Sequence, residues 1–341
     1  MKRIVKYALV ALSCTLLLVS CNENKRKKAL LPNISGKAGE VIVVIDKAEW
    51  EGAVGVALRD SLAQDCPFLP QKEPMYNLVD VIPSGFSTMF QMHRNIIIVN
   101  IGSSVTEPGV AYLSDRWARP QCVIQISAID SESAVQLFLE NCGKIMNTLE
   151  TAERDRAIAN AKRYAEHSIT PVVQELTGAS VIFPSGYRIK KKTSDFLWVT
   201  YEPQNIQQSV LIFKYPVVEG EDMMSRESIV QRTDEVLRDN VPGMFENSYM
   251  TISPFAAPSI KWLKYKGRNF AELRGFWEVE NDFMGGPFVQ HVYYSRDGKE
   301  MIGLLAFVYA PKYDKRQYLR QVESIVYSYE WMPEAEEGEK K

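Results

Sequence analysis

The chain has 341 residues, 46% hydrophobic and 24% charged, with 42 acidic against 40 basic residues and a formal net charge of −2. These are globular values with room for two modest domains. They give no footing to nucleic-acid binding, which needs a basic surplus.

Residues 1–20 read as a signal peptide. Lys2, Arg3 and Lys6 make a basic start, and the apolar run from Tyr7 to Leu18 is shorter than the ~20 residues of a membrane-spanning helix. Leu18-Val19-Ser20-Cys21 resembles the bacterial lipobox. Lipoprotein processing attaches a diacylglyceryl group to sulfur before cleavage, so Cys21 is the expected lipidation site, carrying acyl chains of the palmitate type. Anchoring becomes firm when more than one chain is attached. Residues 21–37 read as a lipidated tether: Asn22 to Lys28 has no apolar periodicity, and Lys25, Arg26, Lys27 and Lys28 would lie near lipid head groups. Position 22 is Asn, unlike the aspartate of an inner-membrane retention signal, and no acidic run follows the cysteine. The expected location is the outer membrane, facing the periplasm, with the inner membrane as the alternative.

Residues 38–178 read as an α/β subdomain. Glu40–Asp46 is a continuous, β-branched apolar run, as in a buried strand. Lys47–Gln64 has helical spacing, with Trp50, Val54, Leu58 and Leu62 four apart. Strands follow at Asn77–Ile82, Asn95–Ile101 and Cys122–Ser127. Asp130 is placed to cap a long helix to about Leu149, and a polar helix over Glu150–Ala165 continues or follows it. Cys66, Cys122 and Cys142 are odd in number. Their apolar settings suggest free core thiols, while one disulfide stays open in an oxidising compartment.

Residues 179–332 read as an antiparallel α+β subdomain. Strands are expected at Tyr187–Lys190, Phe196–Tyr201, Ser209–Tyr215, Ile260–Tyr265, Phe270–Val279, Phe288–Ser295 and Met301–Tyr309. Asp297-Gly298 marks a hairpin between the last two. Helices are expected at Ser225–Asp239 and Lys315–Ser328. Residues 333–341 form an acidic tail. The fold class is therefore α+β: an N-terminal α/β subdomain, then an antiparallel sheet with two helices.

Motifs that carry chemistry are mostly absent from the sequence. His93, His167 and His291 lie in separate segments, and no metal-ligand spacing, phosphate loop or nucleophile motif occurs. No catalytic residue, metal or cofactor is expected. The densest pattern is Arg274-Gly275-Phe276-Trp277 followed by Met284-Gly285-Gly286-Pro287-Phe288. By the strand period of two, Ala271, Leu273, Gly275, Trp277 and Val279 face a core, and Glu272 and Arg274 point the other way. The expected binding surface is a glycine-rich turn, Gly285, Gly286 and Pro287, beside Arg274 and His291. An arginine satisfied within the fold is the competing expectation.

The lipobox, Glu40–Asp46, Leu69-Pro70-Gln71-Lys72-Glu73-Pro74, Trp117-Ala118-Arg119-Pro120-Gln121 and the Arg274–Phe288 pattern together resemble an uncharacterised lipoprotein family of Bacteroidota-type bacteria, catalogued as a domain of unknown function. That resemblance implies a location and supplies no activity. From Phe183 to Trp331 the element order is similar to the PsbP and Mog1-like sandwich, whose members mostly bind or assemble. The expectation is a non-catalytic envelope protein, anchored to the membrane by its N-terminal lipid and holding a protein partner. The alternative is a glycan- or small-ligand-binding lipoprotein.

Overall fold

The computed structural model describes residues 31–333. The signal peptide, Cys21, most of the tether and nearly all of the acidic tail lie outside the described residues. No described helix is long and apolar enough to cross a membrane. The architecture is α+β, and the chain divides into two compact units.

The first unit takes the described residues up to Gln64 and Tyr76–Ala152. Its sheet has the order β2-β1-β3-β5-β4, from β1 (Glu40–Val44), β2 (Asn77–Val81), β3 (Asn95–Ile101), β4 (Gly109–Ser114) and β5 (Cys122–Ala128). β1 pairs in parallel with β2 and β3, and β3 with β5, while β4 runs antiparallel to β5. Val41 to Ile45 are all buried, which is why β1 is apolar at every position after Glu40 rather than at alternate ones. The expected helix over Lys47–Gln64 is broken at Gly52 into α1 (Lys47–Glu51) and α2 (Ala53–Leu62). At the break the Arg59 guanidinium donates to the Trp50 carbonyl at 2.8 Å. α3 (Thr88–Gln91) is a single turn.

α4 (Ser131–Arg163) is one helix. Asp130 caps it by accepting from the Ser133 backbone N–H at 2.8 Å. Phe138, Ile145 and Leu149 are buried. Among the described cysteines none is disulfide-bonded. Cys122 is buried, whereas Cys66 and Cys142 are only half-buried, which corrects the expectation of three core thiols.

The second unit takes Asp65–Met75 and the described residues from Glu153 onward. The boundary therefore falls inside α4 and not at Gly178. The reason is packing: Ile158 near the end of α4, and Val173 and Leu176 of α5 (Thr170–Thr177), join the core beneath the second sheet. That sheet runs β10-β12-β13-β14-β9-β8-β7, with β11 also paired to β12. Its strands are β7 (Arg188–Lys192), β8 (Phe196–Tyr201), β9 (Gln207–Pro216), β10 (Tyr249–Ile252), β11 (Ser259–Tyr265), β12 (Arg268–Glu280), β13 (Gly285–Tyr294) and β14 (Glu300–Tyr309). All its pairings are antiparallel. A two-stranded ladder, β6 (Ala179–Ser180) with β15 (Glu330–Trp331), lies apart from it. Edge strand β7 reads Arg-Ile-Lys-Lys-Lys, a charged composition that discourages edge-to-edge pairing.

Both faces of this sheet are covered. Phe196, Trp198, Leu211, Phe213, Leu273, Trp277 and Phe307 share one core with Ile229 and Leu237 of α6 (Arg226–Asn240). Leu197, Val199, Val210, Ile212, Phe270, Val289 and Leu304 share the other with Leu319, Val322 and Ile325 of α7 (Arg316–Tyr327). The alternation along β8 and β9 is thus a sorting between two interiors. β10 is pinned by α6, where the Asp234 carboxylate accepts from the Ile252 N–H at 2.7 Å and the Thr251 hydroxyl at 2.9 Å.

Candidate functional site

The residues that the sequence brings forward converge under α7, as a closed network rather than an open surface. Strand β12 places Glu272 and Arg274 on the α7 side, and β13 places His291 and Tyr293 beside them through the register Glu272↔His291. The Glu272 carboxylate accepts from Arg274 Nε at 2.8 Å, from the Tyr327 hydroxyl at 2.6 Å and faces His291 Nε2 at 3.1 Å. Arg274 turns its two terminal nitrogens onto Glu323 of α7, at 3.1 and 2.8 Å, in a bidentate fork. Arg154 donates to the same Glu323 at 3.1 Å and stacks over the Tyr327 ring at 3.5 Å. Two guanidinium groups thus face two carboxylates.

Burial raises the Glu272 carboxyl's proton affinity, and the Arg274 guanidinium with the His291 hydrogen bond more than offsets it, holding Glu272 well below the usual carboxylate range. Glu323 is lowered in the same way: burial opposes the shift, and Arg274 and Arg154 outweigh it. His291 is completely buried, and burial pushes it below its ordinary value against the pull of Glu272. A neutral imidazole fits its partners. The carboxylate only accepts, so Nε2 carries the proton to Glu272, and Nδ1 accepts from the Tyr293 hydroxyl at 3.2 Å. With His291 neutral, the network sums to zero charge.

This arrangement overturns the expected binding surface. Arg274 keeps 26% of its side chain exposed, but its fork is spent on Glu323 and its Nε on Glu272. Gly285, Gly286 and Pro287 are no turn: they open strand β13, with Gly286 and Pro287 buried. A Cβ at Gly286 would stand 2.1 Å from the Val308 carbonyl oxygen and 3.1 Å from the Trp277 indole nitrogen. The bare glycine lets the Trp277 N–H reach that carbonyl at 3.3 Å. The glycines serve a close approach inside the sheet.

Acid is expected to destabilise the protein in two stages. An unfolded histidine takes its proton near 6.5, while His291 resists it, so stability falls once pH drops below that value. Glu272 and Glu323 sit below the ordinary 4.5, so their contribution is present above that value and is lost as pH falls through their lowered folded values. Denaturant midpoints from pH 8 to 3 check this. His291→Gln should remove the first stage only, and a pH-independent midpoint over that range refutes the scheme.

The remaining sequence motifs are structural too. Glu73 is buried and accepts from the backbone N–H groups of Lys315 and Arg316, at 2.6 and 3.0 Å, at the start of α7. A carboxylate there answers both the unpaired amides and the helix dipole. Lys315 Nζ donates to Gln71 at 2.6 Å, Arg320 to the Met75 carbonyl at 3.0 Å, and Arg316 to the Pro74 carbonyl. The Leu69–Pro74 motif is therefore the cap of α7. In the first unit, Gln121 follows a cis Arg119–Pro120 peptide and donates to the carbonyls of Gln91 and His93, at 2.6 and 2.7 Å. His93 is buried, with its Nε2 3.4 Å from Glu40, and His167 is exposed in the other unit. No group of described residues is placed to hold a metal ion.

Of the large apolar side chains that stand exposed, three lie at the far end of β12, while others, Phe255, Trp262 and Met89 among them, lie elsewhere. The loop over residues 241–248 meets the turn over residues 281–284: Tyr249 pairs with Glu280, and Asn281 donates to the Asn247 carbonyl at 3.1 Å. Met244 is 80% exposed, Phe245 61%, and Phe283 fully so. Sequence reading passed over these three, because isolated apolar residues in short loops carry no periodicity.

The fold and its interior network define a two-unit α+β protein whose conspicuous charged residues hold its own helices. Two family models match it: a domain of unknown function, DUF8532, over residues 34–162, and another, DUF4837, over residues 166–328. The matches meet at the end of α4. No match was found among curated proteins. Of solved structures, the chain is similar to LpqN of Mycobacterium tuberculosis, described as involved in cell envelope biogenesis, at 14% identity over 45% of this chain and 83% of that one, with a TM-score of 0.28. It is also similar to the lipid transfer and protein localization domain of human StarD13, at 12% identity over 44% of this chain and 90% of that one, with a TM-score of 0.21.

Proposed function

We propose that the chain is a lipid-anchored protein of the cell envelope, facing the periplasm from the outer membrane, and that it acts by holding a protein partner and not by catalysis. One observation carries the binding role. The charged groups that would make an active site neutralise one another inside the second unit, while large apolar side chains stand in water at Met244, Phe245 and Phe283. Exposed apolar clusters commonly mark interaction sites. The anchor rests on Lys2, Arg3, Lys6 and the Leu18–Cys21 lipobox.

Cys21→Ser is expected to abolish acylation and release the protein from the membrane fraction. Normal acylated, membrane-bound protein from that variant removes the anchor from this reading. Chemical crosslinking in intact cells, followed by purification through the chain, is expected to give discrete protein adducts. A chain that forms none removes the partner.

A further inference from the structure

We infer that the loop tip formed by Met244, Phe245 and Phe283 docks a protein segment that is itself apolar and basic. The inference rests on the partner-binding reading above and names its surface and chemistry.

The two loops are held as a built projection. The Gly243 N–H donates to the Ser248 carbonyl at 2.8 Å, and the Ser248 hydroxyl donates to the Phe245 carbonyl at 2.6 Å, closing the first loop on itself. In the second, the Val279 N–H donates to the Met284 carbonyl at 3.0 Å, and the Phe283 N–H to the Asp282 carboxylate at 2.6 Å. Phe245 and Phe283 are thus presented by backbones that are already fixed, so docking them loses little further chain entropy. Aromatic side chains on such loops supply large contact area with few rotatable bonds.

Charge selects the occupant. The same two loops and the adjoining end of β12 carry Glu246, Glu278, Glu280 and Asp282. Among the described residues none of the four is in an ion pair. Arg238 lies over the Tyr249 ring at 5.3 Å and Lys191 Nζ donates to the Asn240 carbonyl at 3.2 Å, both at the base of the loops, while the loops themselves carry no basic residue. An acidic rim around an apolar centre repels an anionic lipid surface and favours a cationic protein segment, by complementarity of potential. The apolar tip would then fill the centre of the interface and the carboxylates its rim.

The test is site-specific photo-crosslinking in intact cells with the full-length, anchored chain. A photoreactive residue replaces Phe245 or Phe283, and for control Lys299, in the β13–β14 hairpin. The adduct is digested and its peptide sequenced. Adducts from positions 245 and 283 to a protein segment of net positive charge with apolar residues support the inference. Glu246→Lys with Glu280→Lys should then reduce their yield at least several-fold while the thermal midpoint stays unchanged. Adducts only from position 299 overturn the tip and leave partner binding standing. Adducts from no position overturn both. Tip adducts to lipid, to an acidic segment or to a second copy of this chain overturn the chemistry assigned here.

Discussion

Arg274→Ala is expected to cost about 3–5 kcal/mol of unfolding free energy, the range for stripping one partner from a buried ion pair. The loss has three parts. Glu323 keeps Arg154 alone, Glu272 loses its 2.8 Å bond from Nε, and the two carboxylates lose the cation standing between them. Their mutual repulsion already raises Glu323's proton affinity with Arg274 in place. Glu323→Gln should cost a similar amount, because two guanidinium groups then share a neutral partner. Arg274→Ala combined with Glu323→Gln should cost less than the sum of the two single changes, because each of them already removes the fork that the pair shares. Denaturant unfolding of the four proteins measures the cycle. A wild-type midpoint for Arg274→Ala would show that the fork contributes no net stability, and would return Arg274 to the surface role that its sequence context suggests.

Gly286→Val should be comparably damaging for a steric reason. The first atom of any side chain there meets the Val308 carbonyl at 2.1 Å, and that oxygen belongs to a neighbouring backbone that other strands hold in place. Overpacking of this kind costs about 1–3 kcal/mol or more, and the Trp277 hydrogen bond to Val308 is lost with it. Gly143→Ala makes the control. Nothing lies within 4 Å of a Cβ at that position on α4, so the change should stabilise the helix by up to ~1 kcal/mol. Thermal melts of both variants decide the matter, and a Gly286→Val protein that melts with the wild type would disprove the close approach.

Much of the fold was legible because it is written in local periods. The apolar run Phe196–Tyr201, the Asp297-Gly298 turn, where Gly298 takes φ +69°, and the Asp130 cap each act within a few residues. The division of β12 into two faces was legible too. What covers the second face was not, since Glu323 lies 49 residues beyond Arg274 and no local pattern couples them. The same limit turned an expected surface arginine into the centre of an ion network. Gly285-Gly286-Pro287 misled for a different reason: glycine and proline usually punctuate loops, but Gly286 is opposite Trp277 and makes room for its indole. β10 went unseen because its four residues owe their place to Asp234 on a helix earlier in the chain.

The eleven-residue excursion Asp65–Met75 leaves the first unit's sequence to seal the start of α7, across 242 residues from Glu73 to Lys315. The ribosome therefore delivers the cap long before the helix it closes. A contact of such sequence span carries a loop-closure cost that local contacts avoid. It also sets a rule for dissection. A fragment starting at Glu153 contains every strand of the large sheet yet leaves two amides naked at the start of α7, whereas one that reaches back through Leu69 carries the whole clasp.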